Sequence, residues 1–192
     1  MADEGKLIKS CKEGDLYSFE ILVSNYEKAV YNIAYRMVQN EEDAFDLSQE
    51  IFLKVYKAIH KFDEKSKFST WIYRVATNTC LDFLRKSKKR QNIVSLDANI
   101  GSDDKDDLFM QIEDKDANTH DIVERKFKNQ ELIEALNKLS PEHRIVIVLK
   151  DIQGLSHEEI AKALKLNVGT VKSRISRARE NLKKILIDSE LI

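Results

Sequence analysis

Residues 155–179 read LSHEEIAKALKLNVGTVKSRISRAR, and this stretch decides the fold prediction. Ser156 followed three residues later by Glu159 forms a capping box, in which each side chain accepts a hydrogen bond from the other residue's backbone N–H. Ile160 and Leu164 follow at helical spacing and are expected to face inward. The stretch therefore predicts a short capped helix, a tight turn and a second helix.

The second helix is expected to be apolar on its inner side, which packs against its neighbour, and basic on its outer side. Val171 and Ile175 would anchor it to its neighbour. Hydroxyl and basic side chains occupy its outer face: Thr170, Lys172, Ser173, Arg174, Ser176, Arg177 and Arg179. This pattern predicts a helix-turn-helix whose second helix enters the major groove of DNA. The alternative is an amphipathic surface helix whose basic side is only solvated.

The turn between the two helices departs from the usual pattern. Its ninth position favours a left-handed residue and is usually Gly, but this chain has Lys165 there. A non-glycine residue in that conformation costs on the order of 1 kcal/mol. We expect a strained turn that the side chain of Leu166 plugs.

Composition favours long helices with short connections. Only five Gly and one Pro occur in 192 residues, too few for the frequent turns of an all-β fold.

The net charge of −1 conceals two basic patches. Residues 61–90 hold nine Lys/Arg against three acids, and residues 168–184 hold six against one. Two separate basic patches indicate nucleic-acid binding, although the net charge of the whole chain does not.

Apolar periodicity predicts an all-α protein of two small helical domains. In the first, helices are expected at about 4–11, 15–38, 41–59 and 69–89, with a polar loop at 61–67. In the second, periodicity resumes near residue 121. Ser140 as N-cap and Pro141 at the first helical position open a further helix, which Gly154 ends.

The two domains are expected to be joined by a flexible acidic linker. Residues 96–124 hold ten Asp/Glu against two Lys, and few apolar side chains offset the entropy of ordering them. We assign the first domain to residues 1–92, the linker to 93–120 and the second domain to 121–192. Two states remain open: a plain tether, or a linker whose acids mask the basic patches at low salt.

The sequence disfavours several other classes of protein. No apolar run approaches the ~20 residues that span a bilayer, and the N-terminus lacks a signal-peptide pattern, so we expect a cytoplasmic protein without membrane insertion. Cys11 and Cys80 are expected to be reduced, partly buried thiols. The acids of the linker lack the Gly and Glu register of a calcium loop. No nucleophile–base grouping is recognisable, so we expect no catalytic residue, no metal and no cofactor.

Two further segments carry a family resemblance. DAFDLSQEIFLKVY at 43–56 and FSTWIYRVATNTCLDFLRK at 68–86 resemble region 2 of the extracytoplasmic-function (ECF) sigma factors. VGTVKSRISRAR at 168–179 resembles their region 4. The resemblance implies a sigma factor that directs core RNA polymerase to promoters and helps to open the −10 DNA. The alternative is a helix-turn-helix regulator that acts without polymerase.

The resemblance implies partners and site residues. The helix at 41–59 would dock on a coiled coil of the polymerase β′ subunit, with contacts from Asp43, Asp46, Gln49, Glu50 and Phe52. The β subunit, promoter DNA and an anti-sigma factor are the other implied partners.

The loop at 61–67 would capture a base of the −10 DNA. The residues expected to contact that DNA lie at the start of the 69–89 helix and along it: Lys67, Phe68, Ser69, Thr70, Trp71, Arg74, Thr77, Asn78, Asp82, Arg85 and Lys86. Arg74, Thr77, Asn78, Asp82, Arg85 and Lys86 are expected on the outward face. Trp71 is open to a second interpretation as a core residue. The −35 duplex would be read by Gly169, Thr170, Lys172, Ser173, Arg174, Ser176 and Arg177.

Overall fold

A computed structural model describes residues 3–94 and 131–188, which are helical and contain no strand. The N-terminal part consists of α1 (Glu4–Lys12), α2 (Leu16–Ser24), α3 (Glu27–Val38), α4 (Glu41–Ala58), a 3₁₀ turn (Ile59–Lys61) and α5 (Phe68–Val94). The C-terminal part consists of α6 (131–137), α7 (Pro141–Ile147) with a π-helical continuation (Val148–Ile152), α8 (His157–Leu164) and α9 (Val168–Asp188). The all-α prediction with two helical domains is confirmed.

Short polar side chains start the helices. The carboxylate of Asp15 accepts from the backbone N–H groups at the start of α2, and the Asn40 side chain accepts from the N–H of Asp43 in α4. Ser140 caps α7 with Pro141 at the first helical position, as predicted. Gln39, at φ 56° and ψ 30°, ends α3 in the left-handed region.

One sequence prediction about helix boundaries is wrong. The single helix expected at 15–38 is two helices, α2 and α3, separated at Asn25 and Tyr26. The side chains of Ser24 and Asn25 both donate hydrogen bonds to the carbonyl oxygen of Ile21, at 2.9 and 3.2 Å. These bonds give the last carbonyl groups of α2 an alternative to helix continuation, so the chain turns before Glu27.

The N-terminal domain is built around the middle of α5. Ile72, Ala76 and Cys80 on its inner face are fully buried between α3 and α4. At its start, Phe68 and Trp71 pack with Phe62 from the preceding loop, with ring centroids 5.3–5.6 Å apart. This aromatic cluster fixes the loop at 62–67 against the first turn of α5.

The C-terminal domain places α9 across α7 and α8. Ile145, Val148 and Leu149 of α7 and its π-helical continuation are almost fully buried. That continuation gives way to a turn at Gly154, whose φ of +71° favours glycine. The expected helix near residue 121 is seen from 131 onward, while its earlier part and residues 95–120 of the linker lie outside the described residues. Residues 93–94, assigned to the linker, still belong to α5.

The two domains contact each other directly. Helices α3 and α5 of the N-terminal domain pack against α7, its π-helical continuation and α8 of the C-terminal domain. The outer side of α5 therefore lies next to the helix-turn-helix.

Candidate nucleic-acid interface

The helix-turn-helix has the predicted geometry. Ser156 Oγ accepts from the backbone N–H of Glu159 at 3.1 Å, and Glu159 Oε2 accepts from the N–H of Ser156 at 3.0 Å. Val171 and Ile175 are buried behind α9. Lys165 lies at φ 54° and ψ 46°, which is the left-handed conformation expected of the turn. Leu164 is only half-buried, because its side chain lines the open cleft between the domains.

The outer face of α9 is open over most of its length. Gly169, Thr170, Lys172, Ser173, Ser176 and Arg177 are exposed, while Arg174 is half-buried beside α5. Arg179 differs from the other arginines because its guanidinium forms an ion pair with Asp151, and its Nε donates to Asp151 Oδ2 at 3.2 Å. This pairing raises the pKa of Arg179 and holds its charge toward α7.

The residues proposed for the −10 DNA divide into two groups. Lys67, Asn78, Asp82, Arg85 and Lys86 are exposed, and Ser69 and Arg74 are half-buried. Arg85 donates to Asp82 Oδ1 at 3.1 Å along the surface of α5. These side chains form a mixed, mainly basic strip on one face of α5.

The second group is buried. Phe68, Thr70 and Trp71 have exposed fractions of 1%, 4% and 7%, and Trp71 belongs to the aromatic cluster, as its second interpretation held. The expectation that Thr77 faces outward is wrong. Its side chain is fully buried and its hydroxyl donates to the carbonyl oxygen of Arg74 at 3.1 Å. A threonine that satisfies its hydroxyl within its own helix tolerates burial well.

A cleft joins this strip to the second domain. It is lined by Trp71, Arg74 and Asn78 of α5, by Lys54 and Lys61 from the end of α4 and the turn after it, and by Lys165. Lys54 and Lys165 did not enter the predicted −10 site, because they lie outside α5 and the loop before it, whereas Lys61 begins the loop at 61–67 that was expected to capture a base. Their convergence gives the cleft a positive lining.

The acidic face proposed for polymerase binding is formed as expected. Asp46, Gln49 and Glu50 are exposed on one side of α4, and Asp43 and Phe52 are half-buried at its edges. Glu50 pairs with Lys54 at 2.7 Å, one turn further along. The five predicted residues therefore lie on one contiguous side of the helix.

An apolar strip lies beside this acidic face, and of its residues the sequence had singled out only Phe45, as an added apolar contact or a packing residue. Phe45, Leu53 and Tyr56 have exposed fractions of 57%, 59% and 39%. The Tyr56 ring meets that of Phe19 from α2 edge-on, with centroids 5.0 Å apart. The sequence held a signal, since Leu53 lies off the register of the buried Leu47, Ile51 and Val55. Such exposed apolar groups next to charges are typical of a protein interface.

Comparisons with known proteins decide between the two functions that the sequence left open. The chain matches Sigma-70 region 2 over residues 22–90 and Sigma-70, region 4 over residues 129–182. It is 39% identical to the ECF RNA polymerase sigma factor SigW of Bacillus subtilis (strain 168) over 183 residues, which cover 95% of this chain and 96% of the relative. The chain belongs to the ECF RNA polymerase sigma factors.

Other relatives agree with this assignment. The ECF RNA polymerase sigma-E factor of Escherichia coli (strain K12) is 33% identical over 175 residues, covering 91% of this chain and 89% of the relative. Among solved structures, CnrH in complex with the cytosolic domain of CnrY has a TM-score of 0.69 at 26% identity, covering 98% of this chain and 99% of CnrH. The family is a class of non-catalytic initiation factors, and the sigma factor directs RNA polymerase to promoters.

The described part of the sigma factor offers no further site for a metal or a membrane. Within 3–94 and 131–188, no three His, Cys, Asp or Glu side chains converge as metal ligands. No helix in these ranges is both long and apolar enough to cross a membrane. Cys11 and Cys80 are free and buried, and burial raises the pKa of Cys80 to about 12.

Proposed function

We propose that the sigma factor binds its partners through three surfaces. The acidic face of α4 binds core polymerase, the exposed strip of α5 binds the −10 DNA, and the outer face of α9 binds the −35 duplex. The observation that carries this proposal is that the three surfaces lie on different helices and are chemically distinct. One is acidic with apolar neighbours, and two are basic and lie in separate domains.

The α4 surface fits a protein partner rather than DNA. Asp46 and Glu50 would repel phosphates, while the exposed Phe45 and Leu53 would be covered by a docked helix. We assign this partner as the β′ coiled coil of core polymerase, with Asp43, Asp46, Gln49, Glu50 and Phe52 as its contacts. Contacts with the β subunit are proposed through the second domain.

The α5 surface fits single-stranded promoter DNA. Lys67, Arg74, Arg85 and Lys86 would attract the backbone, and Asn78 and Asp82 offer hydrogen-bonding groups to unstacked bases. Phe68, Thr70, Trp71 and Thr77 act through the packing that shapes this surface, and Ser69 lies at its edge. The cleft beside Trp71 adds Lys54 and Lys61 to the basic lining.

The α9 surface fits duplex DNA. Thr170, Lys172, Ser173, Ser176 and Arg177 face outward from the helix whose N-terminal end would enter the major groove. Gly169 leaves room for the DNA backbone, since a Cβ there would meet no other atom of the protein. Arg174 is half-buried in a cleft that Asp82 and Arg85 of α5 also line.

The remaining assignments complete the proposal. The domains span 1–92 and 121–192, joined by the acidic stretch 93–120, and the protein acts in the cytoplasm, where RNA polymerase works. An anti-sigma factor is a proposed partner. One solved relative of the same fold is the sigma factor RpoE in complex with the anti-sigma factor NepR from Bartonella quintana, with a TM-score of 0.66 at 24% identity.

One experiment tests the core of the proposal. The purified protein is added to core RNA polymerase, and transcript starts are mapped on a genomic template. The expected result is a set of defined starts that share −35 and −10 sequences. A protein that binds DNA but neither associates with core polymerase nor directs starts would contradict it.

A further inference from the structure

Helix α1 lies outside the part of the chain that matches Sigma-70 region 2, which begins at residue 22. None of the three proposed binding surfaces includes it. Its inner side is anchored in the core by Leu7, Ile8 and Cys11, which are buried. The helix packs against α2 and against the 3₁₀ turn at Ile59–Lys61, which leads directly into the loop at 62–67. This helix is therefore placed to act on the loop that is expected to capture a base.

Lys12, at the end of α1, holds the middle of this loop. Its ammonium group forms an ion pair with the carboxylate of Glu64 and lies 5.7 Å from the centroid of the Phe62 ring. Glu64 has a φ of 58°, a conformation that a residue with a Cβ keeps only where its surroundings hold it. The Lys12 side chain is 26% exposed and that of Glu64 is 59% exposed. The pair thus ties an exposed loop residue to an anchored helix.

The first turn of α1 reaches the other end of the loop. Glu4 accepts a hydrogen bond from the hydroxyl of Tyr26 at 2.6 Å. Burial, and after it the bond to Glu4, raise the pKa of Tyr26, so its hydroxyl stays a donor. The Tyr26 ring meets that of Phe68 edge-on, with centroids 5.4 Å apart, and Phe68 meets Phe62 at 5.6 Å. Both aromatic residues that bracket the loop are therefore held from α1, one directly and one through Tyr26.

Contacts within the loop are few and local. The backbone N–H of Lys65 donates to Asp63 Oδ1 at 3.3 Å, and the two side chains form an exposed ion pair at 3.7 Å. Neither bond ties the loop to the rest of the domain. The conformation between Phe62 and Phe68 therefore depends on contacts from outside the loop, of which the Lys12–Glu64 pair is the one that reaches its middle.

We propose that α1 is a positioning element for the loop at 62–67, and that the Lys12–Glu64 pair holds this loop in the conformation that distinguishes −10 bases. A loop that is ordered before binding loses less conformational freedom on the DNA, and its groups meet a base in one fixed arrangement. Lys12 acts through Glu64 and not by a contact of its own with DNA. The restraint rests on the contacts described, whereas its effect on DNA rests on the proposed −10 role of α5 and the loop.

Three double variants of the full chain test the proposal at constant net charge. Lys12→Met with Glu64→Gln removes both charges of the pair, and Lys12→Glu with Glu64→Lys restores the pair with its charges reversed. The control is Lys9→Met with Glu13→Gln. It makes the same chemical changes at two exposed positions at the end of α1 whose side chains have no described bond to the loop.

Hydrogen–deuterium exchange of the loop amides measures the restraint without DNA. We expect about two- to fivefold faster exchange at 62–67 when the pair is neutralised, as for the loss of one surface ion pair. The control and the charge-reversed variant should exchange at the wild-type rate. Unchanged exchange in the neutralised variant would overturn the restraint. Exchange that stays fast in the charge-reversed variant would overturn the role of the ion pair.

Discrimination between two DNA strands measures the effect on base recognition. Holoenzyme is assembled from core polymerase and each variant. The probes are the non-template strand of a promoter whose start has been mapped with this sigma factor and the same strand with one −10 base replaced. We expect the ratio of the two affinities to fall about two- to fivefold when the pair is neutralised, because the restraint can contribute no more than its own free energy. The charge-reversed pair should restore the ratio.

Two further measurements separate positioning from a general loss of stability. Capture of core polymerase and binding of a −35 duplex should be the same for all variants, whereas a damaged fold would lower both. Faster loop exchange with an unchanged ratio of strand affinities would overturn the effect on DNA. If the wild-type holoenzyme does not distinguish the two strands, the proposed −10 role fails, and the exchange rates alone still decide the restraint.

Discussion

Ser156 and Glu159 exchange two hydrogen bonds at the start of α8, with the Ser156 hydroxyl accepting at 3.1 Å and the Glu159 carboxylate accepting at 3.0 Å. The same carboxylate pairs with Lys67 of the other domain. The backbone N–H of Ser156, and after it the ammonium group of Lys67, lower the pKa of Glu159 below its ordinary value. One side chain thus serves the helix-turn-helix and the domain interface.

This relationship predicts an acid sensitivity. Because the folded-state pKa of Glu159 is lowered, its contribution to stability is complete above the ordinary glutamate pKa and is lost as the pH falls through the lowered value. Glu159→Gln should therefore lose stability at neutral pH and converge with the wild type in acid. Urea unfolding at a series of pH values checks this, and a constant difference between the two proteins would contradict it.

The turn of the helix-turn-helix predicts a stabilising substitution. Lys165 has a φ of 54°, so Lys165→Gly should remove the strain of its Cβ and raise the free energy of unfolding by about 0.5–1 kcal/mol. Lys165→Ala keeps the Cβ and loses the same charge, so it should not gain stability. Urea unfolding measures both variants. Equal stabilisation by alanine would assign the effect to the charge instead.

Removal of the acidic face of α4 is predicted to abolish polymerase binding and to spare the fold. Asp46→Ala with Glu50→Ala removes two exposed carboxylates, and each change should alter the free energy of unfolding by no more than about 0.5 kcal/mol. Glu13→Ala with Glu27→Ala removes the same charge from exposed positions outside this face. Capture of core polymerase by the first double variant as efficient as by the second would refute the assignment.

The arginines of α9 should differ in their effect on DNA. Arg177→Ala and Arg174→Ala are each expected to weaken binding of a −35 duplex, by about 1–3 kcal/mol for a base-edge contact. Arg179→Ala removes the same charge from a guanidinium that Asp151 already engages, so it should weaken binding less. Fluorescence anisotropy with a −35 fragment compares the three. Equal losses would indicate a general charge effect.

Both thiols should be unreactive in the folded protein. Cys80 is fully buried, and burial raises the pKa of its thiol to about 12, while Cys11 is 4% exposed. A disulfide reagent should therefore react with them only after unfolding. Ser24→Cys introduces an exposed thiol that should react at once. Rapid reaction of a native cysteine would mean that its helix opens locally.

Local signals in the sequence predicted most of the helices and the helix-turn-helix. The capping box at Ser156, the N-cap at Ser140 and the left-handed Lys165 each depend on neighbours within a few residues. The break at Asn25 was missed because apolar periodicity continues across it. The side-chain bonds to the Ile21 carbonyl lie at the point where the two helices separate.

The candidate site was predicted where one helix carries it and missed where the tertiary structure assembles it. Asp46 and Glu50 share a face by helical geometry alone. Thr77 was misplaced because its position on α5 could not reveal what covers it. The contacts of Gln39 with Ile133 and of Arg144 with Met37 join residues about one hundred positions apart. No local pattern indicates such pairs.

Trp71 is the single tryptophan of the chain, and it lines the same cleft as Lys165 of the second domain. Its indole therefore lies beside a wall that belongs to a separate structural unit. Separation of the domains would change the polarity around the ring and its access to a soluble quencher. The single indole is thus an intrinsic optical reporter of any separation of the two domains, and it can be read on the unlabelled protein.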